Sequence, residues 1–332
     1  MSQVIIIGGG AAGMMAAIAA AGAGHKVCIY EKNEKLGKKI YITGKGRCNV
    51  TNACDTEELF WNVVHNAKFL YSSFYTFTNT DVMDLIEKYG CPLKTERGGR
   101  VFPVSDKSSD VIHALTVALR ELGVEVELHE EVSGVLAEDG HVSGVRLKRG
   151  QKVVPADAVI VTTGGLSYPS TGSTGDGYRF ATELGHTITE LSPALVPFEA
   201  KEAVCKDLQG LSLRNTGVQL RDEKGKTVYQ DFGELLFTHF GVSGPTVLSA
   251  SAHLKPGKSY SLVLDLKPAL DEGKLDARFL RDLEAYANRS MENALADLFP
   301  HSMIPVLLRR AGIDPALRAN SLTRQQRRAL LE

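Results

Sequence analysis

Gly8, Gly10 and Gly13 stand in a Gly-x-Gly-x-x-Gly spacing, and an acid, Glu31, closes the apolar run at 27–30. Residues of these types in this order can hold a phosphate-bridged dinucleotide. Gly8 makes a tight turn, Gly10 lets a pyrophosphate approach the backbone, and Gly13 lets a helix pack closely on the preceding strand. Free N–H groups at the helix start, near Ala11 and Ala12, then face the phosphates together with the positive end of the helix dipole. Glu31 lies where a carboxylate accepts hydrogen bonds from an adenosine ribose. The bland alternative is a glycine turn that only packs a helix; the strand, helix and acid around it favour the dinucleotide.

A second glycine-punctuated stretch, 37–52, reads Gly-Lys-Lys-Ile-Tyr-Ile-Thr-Gly-Lys-Gly-Arg-Cys-Asn-Val-Thr-Asn. Its glycines, Gly44 among them, let backbone N–H groups approach an anion, and Arg47, Asn49, Thr51 and Asn52 can hydrogen-bond a polar heterocycle. Composition leaves an ordinary solvated surface loop equally open. For proton transfer or substrate contact the first candidate is His239, between Phe237-Thr238 and Phe240-Gly241, because histidine titrates near neutrality; a satisfied core histidine is the competing reading. Tyr168 and Lys45 are further candidates. Cys48 has no partner at two-residue spacing, with Cys54 the next cysteine, so it reads as a small packing residue and not as a redox group.

The elements that must position these residues are legible in outline. The β-branched run at 4–7 reads as a buried strand, the Ala/Met-rich stretch to about residue 23 as a helix, and 27–30 as a second strand. The run at 158–161 is a further buried strand. Thr162-Thr163-Gly164-Gly165 is a small-residue turn at its carboxyl end, where open α/β sheets bind ligands. Segments 124–128, 131–136, 142–147 and 151–154 read as a small β-meander ahead of that turn. From Ser192 the character changes. Short strands are expected at 196–198, 217–221, 227–231 and 259–264, with a polar turn at 222–226. Helices follow at 275–287, 291–298 and 302–311, and a last one opens with Ser321 as its N-cap. The chain therefore reads as an α/β protein of two domains, 1–191 with a Rossmann-like dinucleotide fold and 192–332 with a β-rich and helical character.

Residues 37–52 resemble the signature of the BaiN/RdsA-like family of NAD(P)/FAD-dependent oxidoreductases. Three further blocks are similar to the same family: Thr162-Thr163-Gly164-Gly165 with Ser167, Pro169, Gly172, Gly175, Gly177 and Tyr178; Pro193 to Pro197; and Gly233 to Pro245. The resemblance spans nearly the whole chain in order. It implies an FAD-dependent oxidoreductase that moves hydride between flavin and a small-molecule substrate, with NAD(P)H a transient reductant docking without a motif of its own. It places the cofactor on Gly8, Gly10, Ala11, Ala12, Gly13, Glu31, Lys32, Lys39, Gly44, Arg47, Cys48, Asn49, Thr51, Val132, Thr163 and Gly164, with Val132 meeting the adenine through its backbone. It also implies that 192–332 is an inserted domain covering the flavin. Family members return from that insert to the first domain through a glycine-rich segment bearing an acid; none is found here, so the resemblance implies a chain truncated on its C-terminal side.

Composition bounds the partners. Lys and Arg total 38 against 39 Asp and Glu, so no net field favours nucleic acid or an anionic membrane. No stretch approaches the roughly 18 apolar residues of a membrane span. The N-terminal apolar run lacks a preceding Lys or Arg and is broken by glycines, unlike a secretory signal. Five scattered cysteines, no metal-ligating pair among them, fit a reducing cytoplasm. Two other classes remain in view. One is an FAD-dependent RNA-modifying protein, which the charge balance disfavours; the other is a non-catalytic flavoprotein remnant.

Overall fold

The computed structural model describes all residues, Met1–Glu332, which divide into two compact units at Glu190/Leu191. In the first, β1 (Gln3–Ile7), α1 (Ala11–Gly22) and β2 (Lys26–Glu31) form the expected strand–helix–strand start. A long excursion follows: β3 (Thr51–Asn52), α2 (Thr56–Trp61), α3 (Tyr71–Thr76), α4 (Asn79–Lys88), β4 (Leu93–Glu96), β5 (Arg100–Pro103) and α5 (Ser108–Glu121). The chain then makes β6 (Glu125–Leu128), β7 (Val132–Glu138), β8 (His141–Leu147), β9 (Val153–Pro155), β10 (Ala158–Val161) and α6 (Asp176–Glu183).

Four strands, in the order β10-β1-β2-β6, make an all-parallel sheet. Side chains alternate across a strand, and β1 uses both faces. Val4 and Ile6, with Val27 and Ile29, pack under Met14, Ala17 and Ile18 of α1 and Val111, Leu115 and Ala118 of α5. Ile5 and Ile7 pack on the other face against Val132, Val145, Leu147 and Phe180. Burial on both faces is why β1 reads as an unbroken β-branched run.

The segment at 124–128 differs from expectation. It pairs in parallel with β2 and so belongs to the main sheet; the antiparallel meander is β7-β8-β9 only. Its alternating Glu-Val-Glu-Leu pattern is that of a partly solvated strand at a sheet edge, and α5 before it supplies the crossover that parallel pairing needs. A separate three-stranded antiparallel sheet, β3-β5-β4, lies within the excursion.

The second unit is built on an antiparallel sheet. Its elements are β11 (Phe198–Glu199), α7 (Val204–Asp207), β12 (Ser212–Asp222), β13 (Thr227–Phe237), β14 (Gly241–Ser243), α8 (Pro245–Ser251), β15 (Tyr260–Asp265), α9 (Glu272–Ala285), α10 (Met291–Ala294), α11 (Ile304–Arg310) and α12 (Arg324–Leu331). The sheet order is β11-β14-β13-β12-β15. The polar turn between β12 and β13 is closed by the Asp222 carboxylate, which accepts from the Lys224 and Lys226 N–H groups at 2.9 Å each. Both hairpin strands run longer than expected, and the block at 233–237 is the end of β13. Helix α8, which carried no clear signal, buries Thr246, Val247 and Ala250. Phe279, Met291, Leu295, Ile304 and Leu308 form a separate helical core. The last helix is capped by Thr323 and not by Ser321: the Thr323 hydroxyl accepts from the Gln326 N–H while the Gln326 side chain accepts from the Thr323 N–H. That reciprocal capping box outcompetes a lone serine, and Ser321 closes a 3-10 turn instead.

Gly13 is the tightest point of the first unit, because a Cβ there would overlap the Gly8 carbonyl oxygen and lie 2.8 Å from Thr162 Oγ1. Gly13→Ala is expected to destabilise the fold by about 1–3 kcal/mol through overpacking. An unchanged urea midpoint for this variant would show that α1 can move away from β1 without cost.

Candidate dinucleotide-binding site

The carboxyl ends of β1, β2 and β10 meet at one edge of the parallel sheet. Gly8 takes φ +103°, a conformation open to glycine, and a Cβ there would stand 2.7 Å from the Thr162 carbonyl oxygen. Thr162 Oγ1 donates to the Ile7 and Gly8 carbonyls at 2.9 Å each, tying the β10 turn to the glycine turn. Gly10 is the N-cap of α1 and offers no side-chain acceptor to the first-turn N–H groups. Nothing lies within 4 Å of where a Gly10 Cβ would stand, and Ala11 and Ala12 are exposed. Uncapped N–H groups facing open space at a positive dipole end form an anion cradle.

Glu31 is 7% exposed. Its Oε2 accepts from the Gly9 N–H at 2.7 Å, and its Oε1 accepts from the Asn33 N–H and Nδ2 at 2.8 and 2.6 Å. Three of a carboxylate's about four acceptor positions are thus filled. The acid shapes the glycine turn and keeps room for about one further hydrogen bond, as a ribose hydroxyl would need.

The loop after β2 docks on this turn through the Gly37 N–H, which donates to the Gly9 carbonyl at 2.8 Å. It coils in 3-10 turns over Ile40–Gly46. Gly44, Lys45, Gly46 and Cys48 all take positive φ, at 56°, 58°, 89° and 62°. Thr43, Lys45 and Asn49 are exposed, but several of its polar side chains are engaged within the protein. The Arg47 guanidinium bridges Glu96 at 2.5 Å and Asp106 at 2.6 Å and lies 4.1 Å from the centre of the Phe102 ring. The terminal amide of Asn49 lies 3.3 and 3.0 Å from the Val101 and Thr51 carbonyls, which its nitrogen meets once the amide is oriented to donate. Asn52 donates to the Gly98 carbonyl at 2.8 Å, and Thr51 pairs with Val101 in the β3-β5 ladder. Arg47 and Asn52 thus anchor the loop to the segments around Glu96, Gly98 and Asp106.

The turn after β10 is strapped to the same loop. Lys39 Nζ donates to the Ser167 carbonyl at 2.8 Å and Ser173 Oγ at 2.6 Å. Lys32 Nζ reaches Thr174 Oγ1 and Asp176 at 2.8 and 2.7 Å. Gly164 takes φ +75°, with Ser173 Oγ 2.5 Å from its would-be Cβ, and a Cβ on Gly177 would lie 2.8 Å from Thr163 Oγ1. Val132 is buried and opens β7 opposite Leu147. Of the three proton-transfer candidates, Lys45 and Tyr168 are exposed and both left-handed. His239 belongs to the second unit and is exposed, edge-on to Phe240 at 4.9 Å, so it is no core residue. Sequence reasoning missed Asn33, Lys94, Glu96, Phe102, Asp106 and Ser173; only Asn33, two residues after Glu31, had a local signal.

Charge follows this geometry. Hydrogen bonding from Arg47 holds the Glu96 carboxyl below the usual carboxylate range, and Lys94 with Arg47 does the same to Asp106. Burial pushes the Cys28 and Cys91 thiols up to about 11 each and raises that of Cys48. No group of three or more His, Cys, Asp or Glu side chains is arranged to hold a metal ion, and no helix is long and apolar enough to cross a membrane.

A parallel sheet with a glycine turn at a helix start and a buried acid closing the second strand defines a Rossmann-type dinucleotide-binding protein. A family model described as the HI0933-like protein Rossmann domain matches residues 2–262. The chain belongs to that family, in agreement with the resemblance drawn from its motifs. It is 31% identical over 329 residues to the ribosomal RNA dihydrouridine synthase of Escherichia coli (strain K12), covering 99% of this chain and 78% of that protein. It is also 31% identical over 331 residues to the 3-dehydro-bile acid delta(4,6)-reductase of Clostridium scindens, covering 97% and 78%. Among solved structures, the 3-ketosteroid-delta4-(5alpha)-dehydrogenase from Rhodococcus jostii RHA1 is similar with a TM-score of 0.46 and 16% identity, over 68% of this chain and 67% of that one.

Four of the five cysteines are buried and Cys54 is half-buried. A protonated, enclosed thiol is a poor nucleophile. Titration of the folded protein with a thiol-specific disulfide reagent near pH 8 should therefore modify Cys54 alone, and all five sites after unfolding. Rapid labelling of Cys48 in the folded state would contradict its packing role.

Proposed function

We propose that this chain is an FAD-dependent oxidoreductase that moves hydride between bound flavin and a small organic substrate whose carbon–carbon double bond is conjugated to a carbonyl. The observation that carries the cofactor reading is the glycine turn left open at Gly10 beside the buried Glu31. Gly10, Ala11 and Ala12 would hold the pyrophosphate through backbone N–H groups, Glu31 the ribose, and the Val132 backbone the adenine. Gly44, Thr163 and Gly164 would bring two further backbone edges to the flavin end. Lys32 and Lys39 act by strapping those edges together, and Cys48 by packing behind one of them. Bound FAD supplies the redox chemistry, so the protein's task is to bind, orient and shield it. Tyr168, Lys45 and His239 are the candidates for delivering a proton to the carbon next to the carbonyl. NAD(P)H is the proposed transient reductant.

The two relatives support the substrate class. Making dihydrouridine saturates a pyrimidine double bond conjugated to a ring carbonyl, and a delta(4,6)-reductase of a 3-dehydro bile acid saturates bonds conjugated to a ring ketone. The shared chemistry is hydride addition to the far carbon of an enone-like system. A uridine within RNA is the second reading, favoured by the equal 31% identity to the ribosomal RNA enzyme; the near-balanced charge of the chain favours the free small molecule.

The test is anaerobic reduction of the FAD-loaded protein with NADPH or NADH, followed by reoxidation with a steroid enone or with uridine-containing RNA. Bleaching that only oxygen reverses would remove the ene-reductase reading. Gly10→Val separates cofactor from fold, because the structure has room for the side chain and a pyrophosphate does not. FAD affinity should fall by about a hundredfold or more, ~2.7 kcal/mol, with the melting temperature of the ligand-free protein nearly unchanged. A yellow, fully loaded Gly10→Val protein would refute the pyrophosphate assignment.

A further inference from the structure

We propose that Arg47, with Glu96 and Asp106, is a positioning clamp that holds the rim of the 3-10 loop in the shape that receives the flavin end of the cofactor, and that it acts without touching the cofactor. The inference rests on the FAD reading given above. Its first ground is that four of the five guanidinium N–H groups are already directed at carboxylates. Arg47 Nε and Nη2 donate to Asp106 Oδ1 at 2.8 and 2.6 Å, and Nη2 and Nη1 donate to the two Glu96 oxygens at 2.5 and 3.4 Å. The guanidinium carbon lies over the Phe102 ring, and Lys94 closes the cluster by donating to Asp106 Oδ2 at 2.8 Å. A planar five-donor fork so occupied has little left for a ligand.

The second ground is the backbone that the clamp adjoins. Gly44, Lys45 and Gly46 before Arg47, and Cys48 after it, are left-handed. Lys45 and Cys48 carry side chains there, and such conformations persist only where the surroundings over-determine them. Phe102 is part of that surrounding on both sides: its ring lies under the Arg47 guanidinium carbon, and its Cε1 lies 3.4 Å from a would-be Gly44 Cβ. The rim itself, Ile42 to Lys45, is exposed. A strained, exposed rim held by a half-exposed ion-pair clamp beside it is a receiving surface whose shape depends on partners far along the chain. Glu96 and Asp106 reach Arg47 from 49 and 59 residues away.

The adenosine end of the site uses other residues, Gly8 to Gly13 and Glu31, so the clamp should be separable from it. ADP is the probe for that end and FAD the probe for the whole. Arg47→Gln is expected to weaken FAD by more than about tenfold while ADP affinity stays within about twofold of the parent. Glu96→Gln should move FAD in the same direction by less, because a neutral amide still accepts from the guanidinium. Amide hydrogen exchange over 43–48 in the ligand-free Arg47→Gln protein should speed up, with exchange in β1 and α1 unaltered. Unchanged FAD affinity and unchanged exchange in Arg47→Gln would overturn the clamp, and so would an equal loss of ADP and FAD, which would mark a general loss of structure. If the parent binds ADP but not FAD, the cofactor reading fails, and the exchange measurement still decides whether Arg47 holds the rim.

Discussion

How closely α1 lies against β1 governs the ligand edge of the first unit. At Gly13 the helix touches the Gly8 carbonyl with no space for a methyl group. That contact puts the first turn of α1 directly beyond the carboxyl end of β1, where its uncapped N–H groups and positive dipole end face outward. Thr162 then closes the arrangement from the β10 side by donating to two carbonyls of the same turn. A larger residue at Gly8 or Gly13 would separate the three strands' ends, and no single set of backbone donors would remain.

Around this contact, polar side chains serve mostly to hold backbone. Glu31 accepts from Gly9, Lys39 and Lys32 strap the turn after β10 to the loop after β2, and Arg47 is bound on two carboxylates. Backbone donors fixed in this way cost little reorganisation when a charged ligand arrives, which is the electrostatic advantage of a preorganised site. The arrangement also explains why buried thiols and a buried carboxylate coexist in one small region. Cys48 fills space under the loop, while three N–H groups meet the Glu31 carboxylate.

The second unit obeys different rules. Its antiparallel sheet alternates buried and exposed positions along β12, and the long hairpin is held in register by a tight polar turn. The helical core around Phe279, Met291 and Ile304 joins the 14-residue α9 to the short helices α10 and α11, and all three lie where the sequence placed helices. Pro305 in the first turn sets where α11 begins, in keeping with proline's fit to helix starts.

What the sequence determined by itself was the local and periodic part. The β-branched run of β1, the glycine spacing, the acid ending β2 and the small-residue turn after β10 each express a backbone requirement within a few residues, so residue type alone reveals them. The family blocks extended that reading across the chain. Tertiary structure decided the rest. It placed 125–128 in the parallel sheet and not in the meander, because pairing partners are chosen across space. It gave Arg47 and Asn52 partners within the protein, since Glu96, Asp106 and Gly98 come to them through the segments around the β3-β5-β4 sheet. It joined Lys39 to Ser173 across 134 residues. A donor's type is written in the sequence, but its partner is set by the folded distance between segments, and that distance exists only once the sheets have formed.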